Sequence, residues 1–153
     1  MLDIEIIAIG KMKTSYWNEA ACEYLKRLKP FASIKIKELK FTPFTQNNSK
    51  RVIAEEEARI TEAIARSQGQ VFLLTEQGKK LDSLGFAQIL DKLDSQKIIF
   101  VIAGSLGFSS AMKKKYKSLS LSEFTFTHEM ARVIILEQIY RAVTIVNNKN
   151  YHY

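Results

Sequence analysis

This sequence predicts an α/β domain, a mostly parallel sheet flanked by helices, and three observations carry the prediction. Segments of strand character alternate with segments of helical periodicity along the whole chain. Two strand segments, Val71-Phe72-Leu73-Leu74 and Ile98 to Ala103, are continuously apolar, as strands covered on both faces must be. The balance of 46% hydrophobic to 25% charged residues is that of an ordinary globular chain, and 153 residues fit a single domain spanning 1–153.

Each element has its own signal. Ile4 to Ile9 reads as a strand that Gly10 ends. From Ser15 to about Lys29, Trp17, Ala20, Ala21, Tyr24, Leu25 and Leu28 recur at helical spacing. Pro30 stops that helix because proline disfavours helical geometry in the residue before it. Ser33 to Leu39 alternates apolar and charged residues, the mark of a strand with one wet face. Pro43 to Ser49 is turn-rich and reads as a loop. Helical periodicity returns from about Lys50 to Ser67 through Val52, Ile53, Ile60 and Ile64, with Gly69 expected to close the helix. Beyond Leu74, a helix is expected over Ser83 to Asp94, weakened by Gly85. After Ala103, Gly104-Ser105-Leu106-Gly107 makes a turn, Ser109 begins a short basic helix, and Leu119 to Ser122 reads as a brief strand. Glu129 to about Val143 is apolar around most of its circumference, so it needs cover on more than one side; a partner subunit is an economical source. Glu137 and Arg141, four residues apart, are expected to pair on its exposed face.

Composition excludes several classes. The longest apolar run, Ile98 to Ala103, is six residues, against the roughly 20 that a membrane span requires. Asp3 and Glu5 stand where a secretory leader would be basic, and none is expected. Cys22 is the single cysteine, so no internal disulfide forms; it is expected as a small apolar residue on a helix face in a reducing cytoplasm. Lysine and arginine exceed acidic residues by 23 to 16, a net charge of +7 that predicts attraction to nucleic acid. The basic residues gather at Lys11 and Lys13, from Lys26 through Lys40, and from Lys113 to Lys117. The acidic run Glu55 to Glu57 is expected on a solvated helix face.

Ligands of open α/β sheets lie beyond the carboxyl ends of the strands. That rule points to Leu74-Thr75, to the turn Ala103 to Gly107, and to the segment after Leu121. The glycine turn lacks the full G-x-G-x-x-G of a dinucleotide site, although Glu123 follows at a suggestive interval. His128, His152 and Cys22 are not spaced as metal ligands, and no serine sits in a nucleophile elbow, so neither a metal centre nor a triad is expected. In Thr125 to Ala142, Thr127 can cap the following helix and set His128, Glu129 and Arg132 in or near its first turn.

That last segment resembles the signature of the RlmH-type pseudouridine methyltransferases of the SPOUT superfamily. So do the turn Ala103 to Gly107, the stretch Leu74 to Lys79, the opening Ile6 to Lys11 with Tyr16-Trp17, and the ending Tyr151-His152-Tyr153. The resemblance runs nearly end to end. It implies a SPOUT-type α/β-knot with a C-terminal trefoil, a homodimer whose sites are completed by the neighbouring subunit, and S-adenosylmethionine as methyl donor with no metal. Carried over by position, Leu74, Ala103, Gly104, Leu121, Ser122, Glu123, Phe124, Thr125 and Phe126 correspond to the cofactor-binding elements. His128, Arg132, Tyr140, Arg141 and His152 fall at catalytic positions, and Tyr151, His152 and Arg132 at positions that bind RNA. The implied reaction is methylation of N3 of a pseudouridine in 23S rRNA, on assembled ribosomes in the cytoplasm. His152 is the first candidate for the base that removes the ring proton and His128 the second, while Arg132 or Arg141 would stabilise charge or hold phosphate. Three rivals stand beside it: a non-catalytic RNA- or ribosome-binding protein of the same fold, a SPOUT methyltransferase acting on another RNA, and a small Rossmann-type enzyme. Ala103 stands where the family usually has a second glycine, Thr127 where it has proline, and Tyr153 where it has a basic residue.

Overall fold

The computed structural model describes residues 1–153. Five strands and five helices alternate: β1 (Leu2–Ile9), α1 (Ser15–Leu28), β2 (Ala32–Leu39), α2 (Ser49–Ser67), β3 (Gln70–Lys80), α3 (Ser83–Lys92), β4 (Lys97–Ile102), α4 (Ser110–Lys115), β5 (Lys117–Ser120) and α5 (His128–Val146). The sheet runs β2-β1-β4-β3-β5 with every pair parallel. Parallel neighbours cannot be joined by a hairpin, so each crossover carries a helix or a long loop over one face. In a dinucleotide-binding sheet β3 would lie outside β2; here it lies beyond β4, which argues against the Rossmann reading.

Both faces are covered. Ile4, Ile6 and Ala8 of β1 and Ile98, Phe100 and Ile102 of β4 meet α1, α3 and α5. Ile7, Ile9, Ile99 and Val101, the alternate positions, meet α2 and α4. Strands with two buried faces leave little room for polar residues, which is why β4 reads as an unbroken apolar run from Ile98. β1 departs from this at Glu5, which is buried between Ile4 and Ile6. Phe100 sits at the centre, with the rings of Phe72 and Phe86 each 5.9 Å away. β2 is an edge strand, and its alternation of half-buried isoleucines with exposed lysine and serine matches the wet face expected of it.

Several expectations are corrected. β3 continues past Leu74 to Lys80, slipping register against β5 between Leu74 and Lys79, because Gly78 lets the strand close on the Leu119 backbone. β5 spans Lys117–Ser120, so Leu121 and Ser122 have already left the sheet. Gln68, not Gly69, takes the left-handed position after α2; Gly69 is needed because a Cβ there would lie 2.6 Å from the Lys97 carbonyl oxygen. Cys22 is exposed rather than packed. The acidic run is not solvated: Glu56 is buried, and Glu55, Glu56 and Glu57 all bond to loops at the edge of the sheet. α5 lies between α1 and α3, so its own chain covers both flanks and leaves Met130, Val133, Ile134 and Tyr140 half-buried. The expected Glu137–Arg141 pair is formed at 2.6 Å, but both side chains are half-buried rather than exposed. No helix is long and apolar enough to cross a membrane.

Candidate active site

Because all five strands point the same way, the loops that follow them gather at one edge of the sheet. A cavity of about 520 Å³ opens there between the loops after β3, β4 and β5, within the size range of small-molecule sites. Leu74, Ala103, Gly104, Leu121, Ser122, Phe124, Thr125 and Phe126 all line it, as does His128. Glu123 does not; it turns outward to Lys80. Leu74, Ile102, Leu121 and Phe126 make an apolar bed, and Glu76 supplies a carboxylate at the wall. Hydrogen bonds from its own backbone N–H and from the Thr125 hydroxyl, at 2.7 Å, outweigh burial and hold Glu76 below the usual carboxylate range. The site therefore presents a negative charge beside an apolar slot, a fit for a cationic ligand with a flat ring.

The glycine turn forms one side. The Gly107 N–H donates to the Gly104 carbonyl at 3.0 Å, and Gly107 takes a φ of +70° that L-residues avoid. Gly104 answers a different need: a Cβ there would stand 2.5 Å from Oε1 of Glu56. Ala103 is not among the residues with positive φ, so its methyl group is accommodated.

The start of α5 is strapped to the end of β1. Thr127 caps the helix, its hydroxyl accepting from the Met130 N–H at 3.4 Å. Glu129 accepts from the backbone N–H groups of Lys13 (2.5 Å) and Thr14 (2.9 Å) and from the Thr14 hydroxyl (2.8 Å). Arg132 is buried; it donates to Glu38 at 2.7 Å and to the Gly10 carbonyl at 3.2 Å. Glu38 also accepts from the Met12 N–H at 2.8 Å. The His128 ring lies over Gly10, where a Cβ would come within 3.1 Å of Cε1. Its Nδ1 is buried without a protein partner. Burial is the main cause that pushes the His128 pKa below the ordinary imidazole value, with Arg132 and Lys13 adding to it against the opposing charges of Glu129 and Glu38. The imidazole is thus a free base at neutral pH. Arg132, anticipated as a substrate-binding group, sits behind this surface and faces the loop it holds.

The other anticipated residues form a second cluster. Tyr151 donates to Glu137 at 3.1 Å and its hydroxyl is 3.5 Å from that of Tyr24. Its ring packs edge-on against Tyr140 at 4.8 Å and beneath the Arg141 guanidinium at 4.7 Å. Arg141 lies 3.4 Å from Nδ1 of His152. Burial, reinforced by the bonds to Tyr24 and Glu137, pushes the Tyr151 phenol well above its ordinary pKa. His128 and Arg141 are thirteen residues apart on one helix, which places the two clusters roughly 20 Å from each other. One chain does not bring them together.

Comparison with known proteins gives these loops a context. The profile of the family described as "Predicted SPOUT methyltransferase" matches residues 2–152. The chain belongs to the SPOUT methyltransferase family. It is 38% identical over 156 residues to the ribosomal RNA large subunit methyltransferase H of Kosmotoga olearia, covering 99% of this chain and 100% of the relative. The protein of the same name from Pseudothermotoga lettingae is 39% identical over 155 residues, and that from Natranaerobius thermophilus 36% over 160, each with the same coverage. A solved structure, a probable methylase family protein from Haemophilus influenzae Rd KW20, superposes with a TM-score of 0.63 at 14% identity, covering 100% of this chain and 72% of that one. That likeness concerns the fold alone.

Sequence reasoning missed several residues that shape the site of this SPOUT methyltransferase. Glu38 and Gly10 lie at the carboxyl ends of β2 and β1, and Glu76 lies just past Leu74, so the strand-edge rule that found Leu74 also covers them. Glu56 and Glu57 carried no such signal, being mid-helix. Glu57 accepts from the backbone N–H and hydroxyl of Ser109 at 2.7 and 2.6 Å, anchoring the end of the glycine turn.

Proposed function

We propose that this protein transfers a methyl group from S-adenosylmethionine to N3 of a pseudouridine in large-subunit ribosomal RNA, acting as a homodimer on assembled ribosomes in the cytoplasm. The relatives' shared name supports the ribosomal RNA target. The observation that carries the chemistry is the cavity at the sheet edge, where an apolar bed, the glycine turn, ionised Glu76 and neutral His128 line one space.

Bound there, S-adenosylmethionine supplies a methyl group already activated by its sulfonium. The apolar bed of Leu74, Ile102, Leu121 and Phe126 would take the adenine, and Glu76 the ligand's positive charge. What remains for the protein is alignment, which lowers a barrier by ~7–11 kcal/mol when complete. The attacking nitrogen carries a proton that must leave, and His128 is the acceptor this chain itself presents at the cavity. His152 reaches the cavity only from a second copy. The roughly 20 Å separating the two clusters along α5 supports the dimer, as do the half-buried apolar residues left on that helix and the exposed ring of Phe124. In it, Tyr151, His152 and Arg141 of one protomer would grip RNA over the cavity of the other, with Tyr140 packing beneath. The trefoil threading stands on the same footing, supported by the return of the chain from β5, at the far edge of the sheet, to α5 across β1 and β4.

Incubation of purified protein with labelled donor and ribosomes, followed by mapping of the modified nucleotide, tests the reading. Label at N3 of one pseudouridine is expected. Donor binding with no transfer to any ribosomal RNA would sink it.

A further inference from the structure

A second cavity, of about 280 Å³, adjoins the first. Gly104, Ser105 and His128 belong to the walls of both. The second opens toward the other end of the sheet edge, between the turn after β1, the loop after β2 and the start of α2. Its rim carries two phenylalanine rings, Phe41 and Phe44, each about half exposed at 49% and 50%. Lys11 and Lys13 stand beside them, the Lys13 ammonium 5.6 Å from the centre of the Phe41 ring. Its floor is the buried carboxylate of Glu56, whose Oε2 accepts from the Thr42 N–H at 3.0 Å while Oε1 lies against Gly104.

We infer that this cavity holds an unpaired nucleotide of the RNA next to the one being methylated; the inference rests on the proposed activity and adds a subsite to it. These two rings keep about half of their surface exposed on a loop that is otherwise polar or proline. They are the kind of surface on which a splayed-out base stacks. The two lysines at the rim meet the phosphates that enter and leave such a base. Glu56 sets the preference. One of its oxygens is held by the Thr42 N–H, which leaves the other to accept from a base. Adenine, cytosine and guanine each offer an exocyclic amine, whereas the one ring N–H of uracil on that edge is flanked by two carbonyl oxygens that the carboxylate repels. The shared wall fixes the spacing: a base seated here places its neighbour over His128.

The test uses the full-length protein in two assays. Anisotropy with labelled hexamers of single-stranded RNA is expected to rank oligo(A) and oligo(C) above oligo(U). Phe44→Ala, a surface change that leaves the core intact, is expected to weaken oligo(A) binding and raise the KM for ribosomes by roughly 5- to 150-fold, the range for losing one stacking partner. Donor affinity by calorimetry is expected to stay as in the wild type. Glu56→Leu is expected to abolish the preference for amine-bearing bases; since Glu56 also holds the Thr42 loop, Phe44→Ala keeps the inference testable if that variant misfolds. Wild-type KM and oligo(A) affinity in Phe44→Ala would overturn the subsite and leave the methyltransferase reading in place. No RNA methylation by the wild type, with ranked hexamer binding intact, would overturn the activity and leave the nucleotide pocket standing.

Discussion

Breaking the Arg132–Glu38 pair from its two ends should give unequal losses, and the more exposed partner should be the costlier one to remove. The Arg132 side chain is 3% exposed and that of Glu38 35%. Arg132 also holds the Gly10 carbonyl, and its Nε has no protein partner. In Glu38→Leu the guanidinium stays buried with its countercharge gone. Removing one partner of a buried pair costs ~3–5 kcal/mol, and the solvent contact at the Glu38 end reduces that to roughly 2–3 kcal/mol. In Arg132→Met the methionine refills the apolar path of the arginine stem, Glu38 can turn to water, and what is lost is mainly the Gly10 bond, about 1–2 kcal/mol. Urea unfolding at fixed protein concentration measures both, and for a chain of this length Glu38→Leu should lower Tm by roughly 4–12 °C. The double variant should be less unstable than the sum of the singles, since the second change removes the stranded charge. Additive losses, or an Arg132→Met loss exceeding that of Glu38→Leu, would refute the assignment of this pair as the buried clamp on the turn after β1.

Further outcomes are expected. The pH profile should be shifted to the acid side: His128 has its pKa pushed below the ordinary imidazole value, so methyl transfer should hold its plateau below that value and fall only as pH drops through the lowered one. His128→Ala should lose roughly 10²–10⁴-fold in kcat with donor affinity little changed. Stability has the same sign. Glu38, Glu76 and Glu129 are all held below the usual carboxylate range, so the stability they contribute is complete above their unfolded values and is lost as pH falls through the folded ones; acid titration followed by circular dichroism checks this. Gly104→Val should drive the Glu56 carboxylate from its place and abolish donor binding by calorimetry, with a loss of about 1–3 kcal/mol in stability. Mixing His152→Ala with Gly104→Val chains should restore roughly a quarter of wild-type activity, because half of randomly assorted dimers are mixed and each rebuilds one of two sites; inactive mixtures would place the tail outside the neighbour's cavity.

Legibility varied with the kind of signal. Strand and helix order was readable because β1 and β4 are buried on both faces and α1, α2 and α5 keep helical spacing. The cavity residues after Leu74, Ala103 and Leu121 followed from the rule that ligands lie beyond strand ends. The bulge in β3 did not, since Thr75, Glu76 and Gln77 carry no strand periodicity and their course depends on Gly78 meeting Leu119. Arg132 looked like a free cation for RNA. Charge alone cannot tell a residue that faces solvent from one whose partner, Glu38, stands 94 positions earlier in the chain.

The sequence by itself determined the parallel α/β character, the capped start of α5 and the segments that line the cavity at the sheet edge, because periodicity, capping and strand ends are local properties of a chain. Only the tertiary structure decided which charges are free. Glu56, Glu57, Glu129 and Arg132 became braces, and His128 a neutral base between two cavities, because packing brought distant partners within hydrogen-bond reach and took water away. Desolvation and long-range pairing are set by what surrounds a group in space, and sequence spacing carries no record of either.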